Sequence, residues 1–214
     1  MDAEKRSVEE CSADDRAAED PSAGARIGMW LFLLSEILLF GGLFLLYSVY
    51  RFRNPADFHA MSLELSRFAG TLNTVVLLTS SLSVALAIHA VREQGNARRG
   101  SLLVAVTIAL GLVFLVVKGF EWAEKFRHGL YPDSPALLAR PPGEMLFVGL
   151  YFTMTGLHAL HLIIGLGVLA VMLVGLRRGT IGRGRLAPLE NAGLYWHLVD
   201  IVWIFLFPLF YLIS

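Results

Sequence analysis

The chain has 214 residues, 56% of them hydrophobic and 17% charged, with a mean hydropathy of +0.61. Soluble domains carry about a quarter charged residues, so a water-soluble enzyme is excluded. With 18 basic and 18 acidic residues and no basic stripe, so is a nucleic-acid-binding domain. Eight of the acids fall in the first 20 residues, opposed by Lys5, Arg6 and Arg16, so that stretch carries −5 and the other 194 residues +5. The lone cysteine, Cys11, rules out an internal disulfide and a thiolate metal cage.

Residues 1–25 are rich in Asp, Glu, Ala and Ser and are expected to be a disordered cytoplasmic tail. The first apolar run starts near Ile27 after an acidic stretch, which reads as an uncleaved first span rather than a cleavable signal. Five apolar segments follow: Ile27–Tyr50, Phe68–Val91, Ser101–Trp122, Glu144–Leu176 and Leu189–Ile213. Each approaches or exceeds the roughly 20 residues needed to cross a bilayer. Unpaired backbone groups are not tolerated in lipid and the runs do not alternate, so they are predicted helices rather than barrel strands. The expected fold is all-α, a polytopic membrane protein with five transmembrane helices in a bundle over residues 26–214.

Orientation follows the basic residues near the span ends. Nine (Arg16, Arg26, Arg92, Arg98, Arg99, Arg177, Arg178, Arg183, Arg185) share the side of the N-terminus, against six (Arg51, Arg53, Arg67, Lys125, Arg127, Arg140) on the other. This predicts a cytoplasmic N-terminus and an external C-terminus. The segment Tyr131–Pro142, with four prolines, is expected to be an extended external connection.

Charges at bilayer depth are costly and are functional candidates. Glu36, about ten residues into the first span, has no basic residue within reach on its own helix. It reads either as a proton-exchanging or lipid-contacting acid, or as a neutral carboxyl that ties two helices together. In the second span Asn73, Thr74, Thr79, Ser80, Ser81 and Ser83 suit packing against a neighbour. In the third, Lys118 and Glu121 lie one turn apart and read as an interfacial ion pair with a snorkelling lysine. His158 and His161 share a face of the fourth span, with Gly165 continuing it for close helix approach. In the fifth, Asp200 is placed to take a proton or hydrogen bond from His197, and Pro208 is an expected kink. Gly41-Gly42, Trp30, Tyr47 and Tyr50 read as packing and interface anchors.

These histidines and acids complete a metal cluster only if the fourth and fifth spans meet suitably; interhelical hydrogen bonding is the favoured reading. No Walker loop, His-Glu-x-x-His run or Gly-x-Ser-x-Gly elbow occurs, so no catalytic residue or metal ligand is assigned. A stand-alone transporter or proton channel, and a di-haem anchor, are the readings from other classes. Against the transporter, no repeat symmetry or pair of Gly/Pro-broken helices is visible.

The blocks Gly28-Met29-Trp30…Ser35-Glu36, Leu72-Asn73-Thr74…Leu77-Leu78-Thr79-Ser80-Ser81 and Phe120-Glu121-Trp122 resemble subunit III of the haem–copper oxidases. So do Thr155-Gly156-Leu157-His158-Ala159-Leu160-His161 and Tyr195-Trp196-His197-Leu198-Val199-Asp200-Ile201-Val202-Trp203. Together they cover about residues 27–213 and resemble the short bacterial form with five helices. The resemblance implies a core subunit of a proton-pumping terminal oxidase that holds no redox centre itself. Haem and copper then belong to subunits I and II. This subunit packs on subunit I, holds phospholipid in a cleft and supports proton uptake. Carried over by motif, Glu36 matches the family's buried carboxylate, His158, His161, His197 and Asp200 the polar positions of the last two helices, and Glu121 the acid ending the third block. The chain departs from the family in Arg51–Arg67, which lacks the usual proline-rich approach, and in its acidic tail. Relatives associated with quinol oxidases and nitric oxide reductases leave the electron donor and terminal acceptor open.

Overall fold

The computed structural model describes residues 21–212. The acidic stretch of residues 1–20, with Cys11, lies outside them, and Pro21–Ala25, expected as part of the tail, begin the first helix. The helices are α1 (Pro21–Arg53), α2 (Pro55–Leu63), α3 (Arg67–Arg92), α4 (Ala97–Arg127), α5 (Pro135–Leu138), α6 (Pro142–Arg177) and α7 (Ala187–Phe207), and a π-helical turn follows at Pro208–Leu212. Five are long and apolar enough to cross a membrane: α1, α3, α4, α6, and α7 with its π-turn. The fourth span is the longest, as expected: 36 residues at 1.5 Å each make about 54 Å, against a hydrocarbon core of about 30 Å.

Local chemistry sets the ends. Ser66 and Asn96 cap α3 and α4, accepting from the backbone N–H of Ala69 (3.3 Å) and Arg99 (2.9 Å). Pro55, Pro135, Pro142 and Pro188 sit in the first turns of α2, α5, α6 and α7, where a missing N–H costs nothing. Gly95 ends the turn after α3 at φ +62°, a conformation other residues rarely adopt. The proline-rich connection 131–142 is not wholly extended. The Ser134 hydroxyl accepts from the Leu137 N–H at 3.1 Å, and this cap starts the one-turn helix α5. Pro208 does not simply kink α7; the helix widens into the π-turn.

The chain divides into two compact units at Ile37/Leu38. The first is the start of α1. It exposes Ile27, Trp30, Leu31, Leu34 and Ile37, and the Ser35 hydroxyl donates to the Phe32 carbonyl at 2.7 Å.

In the second unit α3, α4, α6 and α7 form a ring: α3 packs on α4, α4 on α6, α6 on α7 and α7 on α3. The remainder of α1 leans on it through Phe40 against His161, Phe44 against Phe205, and Tyr47 against Phe58 and Phe210. At the centre the indole of Trp196 is fully buried and passes between two glycines. A Cβ on Gly111 would lie 2.8 Å from the Trp196 ring, and one on Gly165 3.1 Å from it. The close approach expected at Gly165 is therefore present. Gly41 and Gly42 differ from the packing role expected of them, because a Cβ there would meet nothing within 4 Å.

One end of the ring is tied by Arg92, which pairs with Glu190, and by Arg183, which donates to the carbonyls of Arg92 (2.9 Å) and Glu93 (2.5 Å). At the other end Arg140 bridges Glu64 and Glu144, each at 3.1 Å, and Lys125 donates to the Glu64 carbonyl at 2.6 Å. Hydrogen bonds to the two carboxylates hold the Arg140 pKa above its usual value.

Candidate functional site

The polar side chains of the spans gather into two clusters. The first surrounds Lys118 of α4. This lysine does not snorkel: it is 3% exposed, because aromatic groups from α6, α7 and the π-turn close over it. Its pairing with Glu121 one turn on is present, Nζ to Oε1 at 3.2 Å. The ammonium donates also to the Tyr151 hydroxyl at 2.8 Å and the Tyr211 hydroxyl at 2.6 Å. All three N–H bonds of the ammonium are thereby used. Both tyrosines in turn donate to Glu121 Oε1, Tyr211 at 2.5 Å. The ammonium also sits over the rings of Tyr151 (4.6 Å), Trp203 and Tyr211 (both 5.3 Å), where the aromatic faces favour a cation.

Beside this cluster His158 is buried between the rings of Phe114 (5.6 Å) and Trp203 (5.3 Å), and neither ring nitrogen meets a hydrogen-bond partner. His161, one turn later, lies against Phe40, with Nδ1 2.8 Å from the Leu157 carbonyl. The two histidines do not converge on a common point.

The second cluster joins α3 to α7. The Trp203 Nε1–H donates to Thr74 Oγ1 at 3.1 Å, and the Trp196 Nε1–H to Ser80 Oγ at 3.0 Å. Ser81 Oγ lies 2.6 Å from His197 Nδ1. The expected bond from His197 to Asp200 is not formed. The imidazole turns to α3, and the Asp200 carboxyl is buried with no hydrogen-bond partner at either oxygen among the described residues. Asn73 is fully buried on the same helix, and neither its Oδ1 nor its Nδ2 finds a partner. Ser83 reaches the other way, donating to the Leu103 carbonyl of α4 at 3.0 Å.

Glu36 lies half-buried in the first unit. Among the described residues no three or more His, Cys, Asp or Glu side chains are grouped so as to hold a metal ion. Sequence reasoning passed over Tyr151 and Tyr211. Their signal was present as hydroxyl-bearing rings inside apolar spans, where a buried phenol needs a partner.

The family described as cytochrome c oxidase subunit III matches residues 7–214 of the chain. A cytochrome c oxidase subunit 3 of Thermostichus vulcanus is 31% identical over 203 residues, covering 94% of this chain and 93% of that protein. The bacterial subunit 3 of Alkalihalophilus pseudofirmus is 32% identical, covering 88% of this chain and 86% of the relative. A "Heme-copper oxidase subunit I+III" of Aeropyrum pernix is 33% identical over 90% of this chain, which spans only 23% of that longer protein.

Proposed function

The chain belongs to the cytochrome c oxidase subunit III family, a multi-pass membrane subunit of the haem–copper oxidase complex, and from that premise we propose that it is the scaffold on which subunit I works. In this reading residues 26–214 are the membrane domain and residues 1–25 a cytoplasmic tail. The N-terminus lies in the cytoplasm of a bacterial cell and the C-terminus in the periplasm. The subunit packs on subunit I, in the same complex as subunit II, and haem and copper sit in those partners. Phospholipid binds the exposed apolar faces. Glu36, with Glu121, His158, His161, His197 and Asp200, sustains proton uptake and lipid contact, while Asn73, Thr74, Ser80 and Ser81 hold the helices together.

The observation that carries the scaffold reading is the closure of the first polar cluster. The three ammonium bonds of Lys118 end on Glu121, Tyr151 and Tyr211, so this charge is spent on the chain's own side chains. Contact with subunit I is supported by the Aeropyrum relative, whose name joins subunits I and III in one polypeptide.

Affinity purification of the chain from mild-detergent membranes tests the reading. The expected preparation contains a haem–copper subunit I, shows haem absorption and copper, and takes up oxygen; the donor it accepts fixes the branch. A colourless, folded chain recovered alone would overturn the proposal. Glu36→Gln keeps the shape of that side chain. If the variant oxidase assembles with turnover, pumping and lipid content unchanged, the proton and lipid role of Glu36 is wrong.

A further inference from the structure

The arginines at the Arg92 end of the ring divide into two groups. Arg92 and Arg183 are engaged within the fold, the first with Glu190 and the second with two backbone carbonyls. Arg98 and Arg99 at the start of α4, and Arg177 at the end of α6, are not. All three are exposed, and among the described residues no carboxylate lies within ion-pair distance of any of them. Arg99 donates to the side-chain oxygen of Gln94 at 3.2 Å, which leaves most of that guanidinium's donors unused. The three line one cavity of about 630 Å³. Basic residues are common at the cytoplasmic ends of spans, but that preference has no need of a shared cavity, where like charges repel.

Further along α4 the wall of the cavity changes character. Ser101 follows the arginines, then Leu102, which is 64% exposed, and Ala105. The seven-residue step from Arg98 to Ala105 covers about 10 Å of helix at 1.5 Å per residue. The polar layer on each side of a bilayer is roughly 5–8 Å deep. The guanidinium groups therefore stand at headgroup depth, while Leu102 and Ala105 reach the hydrocarbon. A soluble anion would use only the outer half of such a cavity; a charged head with an acyl chain attached uses both. The first turn of α4 holds no acidic residue, so its positive end adds to the attraction instead of being neutralised by the chain itself. Basic pockets between spans on the cytoplasmic side bind the heads of anionic lipids, and this end is cytoplasmic in the orientation proposed above.

We infer that the cavity between α4 and α6 is a binding site for one anionic phospholipid, with its phosphate held by Arg98, Arg99 and Arg177 and an acyl chain lying on Leu102 and Ala105. The inference rests on the phospholipid contact proposed above and adds the place and the headgroup class. Guanidinium groups match phosphate oxygens two at a time. A zwitterionic lipid also offers a phosphate, but it brings an ammonium group among three arginines, and that repulsion makes the site selective.

The test places the full chain, in its detergent-purified complex, in phosphatidylcholine nanodiscs with a trace of photoreactive phospholipid whose reactive group is on an acyl chain. Mass spectrometry then locates the label. The expected result is that a phosphatidylglycerol probe labels α4 around Leu102 and a phosphatidylcholine probe labels it far less. Arg98→Gln, Arg99→Gln and Arg177→Gln should each lower that labelling on the order of 5-fold. None of the three arginines holds an ion pair within the described chain, so the variants keep the fold. Arg178→Gln, next to Arg177 but outside the cavity, should change the labelling little. Equal labelling by the two probes would overturn the inference. So would a loss from Arg178→Gln as large as that from Arg177→Gln, which would mean diffuse attraction to a basic surface. Displacement of the lipid by excess inorganic phosphate would make free phosphate the ligand and overturn the lipid assignment. No labelling of any span by either probe would instead defeat the broader reading of phospholipid contact, so the two failures are distinguishable.

Discussion

Replacing Lys118 with Met is the sharpest test of the buried cluster. The side chain keeps its length and loses the charge, so packing against Tyr151, Trp203 and Tyr211 is largely preserved while three hydrogen bonds vanish. Interhelical bonds in membranes are worth about 0.6 kcal/mol on average and about 1.7 at most, which gives roughly 2–5 kcal/mol for three. Stranding a buried charge by removing its partner costs about 3–5 kcal/mol in water-soluble proteins. The two routes agree, so Lys118→Met should destabilise the chain by about 3 kcal/mol. The second half of the reasoning concerns Glu121. If the penalty is mostly its uncompensated carboxylate, then Lys118→Met with Glu121→Gln should recover much of the loss. Unfolding in mixed detergent micelles, followed by tryptophan fluorescence because Trp203 lies beside the ammonium, reads both variants and the wild type. A single-variant cost below about 1 kcal/mol, or a double variant no better than the single, would refute the account of a buried ion pair.

Other expectations concern packing and the ends of the helices. Trp196→Phe removes the bond to Ser80 and should cost about 1–2 kcal/mol; Ser80→Ala should add little on top of it, a coupling that a double-variant cycle measures. Gly143→Ala places a Cβ 2.2 Å from Asp57 Oδ2 and 2.8 Å from Asn54 Cβ, so α2 must move off α6. The expected loss is about 1–3 kcal/mol, with faster tryptic cleavage at Arg51 and Arg53 as a local readout. Arg140→Ala breaks two ion pairs, yet Arg140 and Glu64 are more than a third exposed. Its cost should stay within about 1 kcal/mol and shrink further in high salt; a larger loss would mean that this end of the bundle is more closed than its exposure indicates.

The five spans were legible because a run of some 20 apolar residues has few other physical uses. The acids and histidines inside those runs were equally visible, since each is expensive there. What the sequence could not give was direction. Lys118 stands in the C-terminal half of its helix, a position from which a long side chain can reach toward water. It turns inward because Tyr151 and Tyr211 wait there, 33 and 93 residues further along the chain. Asp200 follows His197 by three residues, which made a bond between them plausible. Yet rotation of the ring toward Ser81, 116 residues away, decided otherwise. Spacing along one helix reports which groups are neighbours; which of them bond is set by the helix opposite. Gly41-Gly42 failed for the same reason, as small residues mark a close contact only where something approaches.

The order in which the Lys118 cluster is assembled bears on how the protein enters the membrane. Spans enter the membrane in chain order, so Lys118 reaches the bilayer before α6 and the π-turn bring Tyr151 and Tyr211 to it. During that interval its companion is Glu121, supplied by the same helix one turn away. An ammonium travelling alone would resist insertion, whereas a lysine carrying its own counter-ion crosses as a near-neutral unit. Glu121 thus serves first as an escort for the nascent helix and only afterwards as the acceptor on which two later tyrosines close.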